Sequence, residues 1–135
     1  MLFVKHSDIN WVTNPSHDMD AGIHDNLPAN ASADVIFARI LPGHTLPVHW
    51  HNRPTVCDGA DTGYEAFFFY EGGKIELIGK DGKISTYDLN EPFTLTFFSG
   101  EDEAHGIKNI GDKPVTFHVL TAPKFDSTEE HFIKV

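Results

Sequence analysis

Short apolar segments of strand length alternate along the chain with polar segments rich in glycine, asparagine, aspartate and proline. Within several of them, apolar and polar residues alternate with a period of two, which is typical of β-strands that bury one face. The segments that fit are residues 34–43, 45–50, 64–73, 74–89, 93–100 and 114–123. We find no helical periodicity of comparable length. The pattern therefore predicts an all-β fold, either a sandwich or a barrel.

The segment 74–89 is the clearest local prediction. Two alternating runs flank Lys80-Asp81-Gly82, and Asp-Gly is a strong turn signal, so the segment predicts a β-hairpin. At the ends, "FVKH" (3–6) and "INWV" (9–12) predict edge strands, and "STEEHFIKV" (127–135) predicts a helical turn followed by a strand. The length of 135 residues favours a single domain, 1–135, with its core at about 35–122 and the two ends packing on it.

The net charge limits the classes of partner, and the cysteine content limits the kinds of covalent link and metal site. The chain has 20 acidic and 10 basic residues, a formal net charge of −10, which disfavours nucleic acid and anionic membrane surfaces as partners. The single cysteine, Cys57, excludes an internal disulfide and a zinc site built from several cysteines. We see no signal peptide, and the longest apolar run, "AFFFY" (66–70), is too short to span a bilayer, so we expect a cytoplasmic protein.

Histidine is unusually abundant, with 9 residues, and three of them stand in "GHTLPVHWH" (43–51), where His49 and His51 are two positions apart. Side chains alternate faces along a strand, so His49 and His51 point to the same side. Glu65 opens a later strand segment, and we expect a hairpin to bring its carboxylate to that face; His105 follows a glycine-bearing turn. Three imidazoles and one carboxylate suit one divalent ion of Fe, Mn, Ni, Co or Zn. The alternative is a metal-free protein in which these are ordinary polar residues.

These residues resemble the two motifs of the cupins, small metal-binding β-barrels. The first motif, G-x5-H-x-H followed by E-x6-G, is matched by residues of both halves: Gly43, His49, His51, Glu65 and Gly72. The second, P-x-G-x2-H-x3-N, is matched by Gly100, His105 and Asn109. The chain departs from the family in two spacings. Thirteen residues separate His51 from Glu65, and four separate Gly100 from His105, while Phe98 replaces the motif proline.

The resemblance implies a cupin-type double-stranded β-helix, or jelly-roll barrel, with His49, His51, Glu65 and His105 as the metal ligands. It also implies an enzyme that uses one divalent metal ion on a small organic molecule. We favour a non-haem dioxygenase, an oxidoreductase, as its class. The alternatives are a non-redox cyclase, isomerase, lyase or decarboxylase, and a cupin that binds a small molecule without turning it over.

The remaining candidates surround this centre. If Glu65 faces the interior, Phe67 and Phe69 do too, and Phe68 and Tyr70 form an outer apolar patch. Such patches often mark subunit contacts, so we expect a homodimer. The loop 52–63 should lie at the cavity mouth, where Arg53 could bind a substrate carboxylate. His118, on a strand, could point into the barrel as a proton shuttle.

Overall fold

The computed structural model describes residues 6–23, 33–52, 63–98, 100–122, 128 and 130–135. Within these ranges the regular structure is β, apart from two single-turn 3₁₀ helices at His6–Asp8 and Glu101–Glu103. The strands are β1 (Asn10–Asn14), β2 (Met19–Ile23), β3 (Asp34–Ile40), β4 (Thr45–His51), β5 (Tyr64–Phe69), β6 (Lys74–Gly79), β7 (Ile84–Asp88), β8 (Phe93–Phe98), β9 (His105–Asn109), β10 (Val115–Ala122) and β11 (Glu130–Phe132). The all-β prediction is confirmed. None of the described residues forms a helix that could cross a membrane.

The strands form two antiparallel sheets whose neighbours are mostly distant in sequence. One sheet has the order β1-β2-β3-β10-β5-β8, and the other has the order β11-β4-β9-β6-β7. β10 lies between β3 and β5, and β9 lies between β4 and β6, which is the interleaving of a jelly roll. Buried side chains from both sheets pack into one core, including Ala38, Phe67, Phe69 and Phe117 from the first sheet and Leu46, Ile75 and Ile107 from the second.

Local signals in the sequence correspond to the observed turns. β6 and β7 form the predicted hairpin, and Gly82 adopts a φ of +75° in its turn. The three motif glycines, Gly43, Gly72 and Gly100, also have positive φ, a conformation in which a side chain would be strained. The motif glycines therefore stand where the backbone needs a conformation that favours glycine.

The chain ends extend the edges of the two sheets. β1 covers most of the predicted strand 9–12, and β11 confirms a strand in the C-terminal tail. Of the predicted strand 3–6, residues 3–5 lie outside the described residues, and His6 belongs to a 3₁₀ helix. β2 was not predicted, because "MDAGI" offers only two strand-forming apolar side chains around an aspartate and a glycine.

The expected hairpin between β4 and β5 is wrong. β4 pairs with β9 and β11, whereas β5 lies between β10 and β8 in the other sheet. A tight turn would force two strands to pair, but the thirteen residues between His51 and Glu65 leave β5 free to join the opposite sheet. Glu65 therefore faces the histidines across the barrel interior instead of standing beside them.

A bulge in β4 sets the direction of its histidines. Leu46 pairs with Ile107 and His49 pairs with His105, so β4 has one residue more than β9 between these two pairs. Because side chains alternate, a regular strand with Leu46 in the core would point His49 outward. The extra residue reverses the alternation, and both Leu46 and His49 are buried.

Candidate metal centre

Three histidines and one glutamate meet inside the barrel, although they come from three strands in two sheets. His49 and His51 lie on β4, His105 begins β9, and Glu65 lies on β5, and all four are buried. Glu65 Oε1 lies 3.4 Å from His51 Nε2, and Glu65 Oε2 lies 3.4 Å from His105 Nε2. The ring centroid of His49 lies 5.2 Å from that of His51 and 4.8 Å from that of His105. The structure thus brings together the four residues that the sequence selected.

Backbone hydrogen bonds determine which ring nitrogen of two histidines faces this space. His49 Nδ1 donates to the Pro47 carbonyl, and His105 Nδ1 donates to the Glu103 carbonyl, both at 2.9 Å. A carbonyl oxygen only accepts, so Nδ1 carries a proton in both rings. In the neutral imidazole, Nε2 then presents its lone pair to the site. Metal-binding histidines are commonly oriented by this kind of bond from the other ring nitrogen.

Aromatic packing holds the His105 ring in place. Phe97 stacks on it with ring centroids 3.7 Å apart and an angle of 9° between the planes. Phe67 meets the same ring edge-on at 5.3 Å. The ring of His105 is therefore held by one hydrogen bond and by contacts with two phenylalanine rings.

The charge states favour binding of a cation. Burial lowers the pKa of His49 to about 4, so its imidazole is neutral at pH 7. Burial alone would raise the pKa of Glu65, but hydrogen bonds and positive charge from the His105 and His51 rings, when these carry a proton on Nε2, outweigh it and hold that pKa well below its usual 4.5. The centre therefore contains a neutral imidazole and an ionised carboxylate at neutral pH.

The distances between donor atoms fit one metal ion. The buried His105 Nε2 makes no hydrogen bond to any residue that the structure describes, and it faces Glu65 Oε2 at 3.4 Å. Two acceptor atoms repel each other at this distance unless a proton or a metal ion lies between them. With bonds of about 2.1 Å, two donors on an octahedral ion are about 3.0 Å apart when adjacent and about 4.2 Å apart when opposite. His49, Glu65 and His105 therefore lie close enough together to hold a divalent ion of the kinds that bind imidazole and carboxylate, and His51 adjoins this group through Glu65.

Sequence reasoning missed two further residues at this centre, the buried His17 and Glu130, whose side chain is 5% exposed. Glu130 on β11 places Oε1 4.0 Å from His49 Nε2 and 3.9 Å from His51 Nε2. His17, in the turn between β1 and β2, donates from Nε2 to Glu130 Oε1 at 2.6 Å. Burial raises the pKa of Glu130, but the His17 hydrogen bond outweighs it, and the pKa of Glu130 is lowered. The sequence signal was slight, because Glu130 stands in a charged tail and His17 in a polar turn.

A cavity of about 170 Å³ adjoins His49, His51, Glu65, His17 and Glu130. The rest of its lining is mostly apolar: Met19, Ala21, Ile36, Leu46, Phe67, Phe117 and Val119. The prediction that Phe67 and Phe69 point inward and Phe68 and Tyr70 outward is confirmed. A larger depression, of about 610 Å³, lies beside Lys80 and Asp102 and contains only His105 of the four candidate ligands. The smaller cavity is therefore the one at which chemistry at this centre would take place.

The other candidates do not join the centre. The prediction that His118 points into the barrel is wrong, because β10 buries Val115, Phe117, Val119 and Thr121 and turns the intervening side chains outward. His118 instead bonds to the Tyr70 hydroxyl on the outer face. Arg53 and residues 53–62 of the loop lie outside the described residues, so their roles stay predictions.

Comparison with known proteins identifies the fold. No protein-family model matches the chain, and no curated protein matches its sequence. Among solved structures, the polyketide cyclase RemF from Streptomyces resistomycificus is 16% identical, with a TM-score of 0.69 over 100% of this chain and 87% of that chain. A double-stranded β-helix protein from Klebsiella pneumoniae is 16% identical, with a TM-score of 0.68 over 98% of this chain and 97% of that chain.

A third similar structure is named as a member of the cupin superfamily. The cupin-superfamily sugar phosphate isomerase from Silicibacter pomeroyi is 15% identical, with a TM-score of 0.67 over 98% of this chain and 92% of that chain. At these identities the similarity establishes the fold and not the activity. Together with the two interleaved sheets, it shows that the chain has the double-stranded β-helix fold of the cupin superfamily.

Proposed function

We propose that this protein is an enzyme that holds one divalent transition metal ion with His49, His51, Glu65 and His105 and acts on a small organic molecule. The observation that carries the proposal is the convergence of these buried donors, from two sheets, beside a cavity. Burying polar and charged groups costs free energy that an apolar core would not incur. A ligand that uses the donors is the physical explanation for placing them there.

Different residues of the chain have different roles in this proposal. The three imidazoles and the Glu65 carboxylate hold the ion. When bound, the ion supplies a Lewis acid that polarises a substrate oxygen and lowers the pKa of the adjoining group. The apolar wall, which includes Phe67, Phe117 and Val119, binds the apolar part of the substrate and excludes water.

The size of the cavity limits the substrate. Its volume is about 170 Å³, and apolar protein cavities of about 150 Å³ accept benzene. We therefore propose a substrate whose buried part is no larger than one ring and carries an oxygen that can reach the metal.

Two reaction classes use this donor set, and we place the non-redox class first. Cyclisation, isomerisation, lyase and decarboxylation reactions need only polarisation of the substrate, and the similar folds include a cyclase and an isomerase. A dioxygenase, which the sequence favours, remains the second candidate because imidazole and carboxylate ligands also suit Fe(II). A binding protein without turnover is the third.

The proposal is tested by elemental analysis of protein purified without oxygen and without a nickel column. We expect near-stoichiometric metal in the wild-type protein. His105→Ala and the isosteric Glu65→Gln should lose most of it, whereas His44→Ala, which changes an exposed histidine paired with Asp18, should retain it. Circular dichroism checks that each variant is folded. A wild-type protein that stays metal-free after reconstitution with each candidate ion would overturn the proposal.

The reaction class is decided on the metal-loaded protein. Stoichiometric iron with substrate-dependent oxygen uptake would select the dioxygenase. Turnover of hydroxy-carbonyl or diketone substrates without oxygen uptake would select the non-redox class. Saturable binding of such compounds without turnover would select the binding protein.

A further inference from the structure

A second carboxylate approaches the metal centre from the side of β11. Glu130 Oε1 lies 4.0 Å from His49 Nε2 and 3.9 Å from His51 Nε2, and the Glu130 side chain is only 5% exposed. These three residues form a potential metal-binding group of their own, which shares His49 with the group of Glu65 and His105. Both distances lie between the values of about 3.0 Å for adjacent donors and about 4.2 Å for opposite donors on one octahedral ion. A donor has only one opposite partner, so Glu130 would move closer to at least one of these imidazoles on binding the ion. Glu130 therefore stands within reach of a fifth ligand position.

His17 fixes the position of this carboxylate. Its Nε2 donates to Glu130 Oε1 at 2.6 Å, and its Nδ1 lies 2.9 Å from Ser16 Oγ. The His17 ring also meets Phe132 edge-on at 5.5 Å. Ligating carboxylates are commonly oriented by such an outer hydrogen bond. The turn between β1 and β2 thus holds a side chain of β11 against β4.

The charge balance at the centre also favours Glu130 as a ligand. A divalent ion with neutral imidazoles and only Glu65 would leave one unit of positive charge buried in the barrel. Buried charge that is not neutralised is strongly unfavourable. A second carboxylate within reach of the ion makes the donor set neutral as a whole.

We propose that Glu130 is a fifth protein ligand of the metal ion and that His17 is its positioning residue. This inference rests on the proposed metal site. Five protein donors on a six-coordinate ion leave one open position. A substrate oxygen can occupy that position, but a substrate and dioxygen cannot both bind there. The inference thus deepens the proposed function towards the non-redox reactions.

The inference is tested with Mn(II) on metal-free protein, by calorimetry for affinity and by water-proton relaxation for the number of bound waters. We expect one water on the wild-type ion. Glu130→Gln should weaken binding at least tenfold and raise the number of waters to two. Glu71→Gln, which changes an exposed glutamate outside the cavity, is the control and should change neither value.

His17 is tested by conservative rescue. His17→Leu should weaken Mn(II) binding by about tenfold to a hundredfold, the usual effect of losing an outer partner. His17→Gln retains an N–H donor and should recover most of the affinity. Equal losses in both variants would assign His17 a structural role only.

The failures of the two proposals can be told apart. A wild-type protein that binds no Mn(II) or other candidate ion overturns the metal site and this inference together. A wild-type protein that binds Mn(II) with two waters, with Glu130→Gln unchanged, keeps the metal site and overturns the fifth ligand.

Discussion

A single buried amide secures the end of the strand that begins with His105. Asn109 is fully buried; its Nδ2 donates to the carbonyls of Ile40 and Lys113 at 2.9 and 2.8 Å. Its Oδ1 accepts from the backbone N–H of Gly111 at 2.9 Å. The asparagine of the second sequence motif therefore has a structural role, since it joins β9 to β3 and to the following turn.

Asn109→Asp tests this role with little change in size. The aspartate would lose both donated bonds and place a carboxylate against two carbonyl oxygens. We expect the free energy of unfolding to fall by roughly 2–4 kcal/mol, as a buried polar group loses its partners. Urea denaturation measures the change, and Asn90→Asp, at an exposed position, is the matched control. Equal stability of the two variants would refute this account of Asn109.

His49 makes the stability of the metal-free protein depend on pH. Burial lowers its pKa from 6.5 to about 4, so between these pH values the unfolded chain binds a proton that the folded chain does not. The free energy of unfolding should therefore fall as the pH drops below about 6.5, by roughly 2 kcal/mol at pH 5. The lowered pKa of Glu65 acts in the same direction at lower pH.

The measurement is urea denaturation of chelator-treated protein at pH 7 and pH 5. His49→Gln should remove most of the difference, because the side chain no longer titrates. His131→Gln, at an exposed position, should preserve it. A wild-type protein equally stable at both pH values would contradict the assignment of a buried neutral imidazole.

The sequence predicted the part of the centre that local rules determine. His49 and His51 share a face by strand alternation, and the family motifs added Glu65 and His105. Such rules could not predict His17 and Glu130, because 113 positions separate these two residues in the chain and only the packing of distant strands brings them together.

At the scale of elements, the bulge in β4 depends on the glycine opposite it. A Cβ on Gly106 would lie 2.9 Å from the Leu46 carbonyl oxygen and 2.9 Å from the Val48 backbone nitrogen. Backbone atoms cannot move aside as a flexible side chain can. Because Gly106 has no side chain, β4 has space for the extra residue of its bulge. That residue is what turns His49 into the barrel.

Gly106→Ala should lower both stability and metal affinity. We expect a loss of about 1–3 kcal/mol, the usual range for overpacking a tight interior, and weaker metal binding because His49 shifts relative to His105. Thermal denaturation and calorimetry provide the two values. Gly79→Ala, on the strand beside β9, is the control, since its Cβ would approach only the side chain of Asp81 closely, at 3.2 Å. A Gly106→Ala protein with unchanged metal affinity would disprove the link between bulge and site.

The strands and turns, like the site residues, could be predicted only where local sequence determines them. The hairpin of β6 and β7 was predicted because its turn is encoded in three consecutive residues. The partner of β5 was not, because strand pairing across a long connection depends on the whole fold rather than on the intervening sequence. The bulge was also missed, since no period-two pattern reveals an inserted residue.

At the scale of the whole molecule, the negative charge is unevenly distributed. In the described residues of β3, β10, β5 and β8, the outward side chains include no carboxylate, and their one permanent cation, Arg39, is paired with Asp20. The same face exposes large apolar side chains: Val35, Tyr64, Phe68, Tyr70 just after β5, and Phe98. The unpaired carboxylates of the described residues therefore lie on other surfaces.

We propose that a second copy of the chain covers this neutral face. Two molecules of charge −10 repel each other on most approaches, but this face brings no unpaired carboxylate into the contact. Burial of Phe68 and Phe98, which are 41% and 60% exposed, would then drive association. The proposal gives the homodimer expected from the sequence a contact surface that can be tested.

Light scattering coupled to size-exclusion chromatography tests the dimer. We expect about 30 kDa, twice the chain mass of 15.1 kDa, and a larger dimer fraction at higher salt, because salt screens the repulsion between the acidic surfaces. Phe68→Lys should give the monomer mass. Ile84→Lys, which changes a 54% exposed apolar residue on β7 of the other sheet, should leave the dimer intact. A monomeric wild-type protein at every salt concentration would exclude a second copy on this face, and dissociation by both variants would place the contact elsewhere.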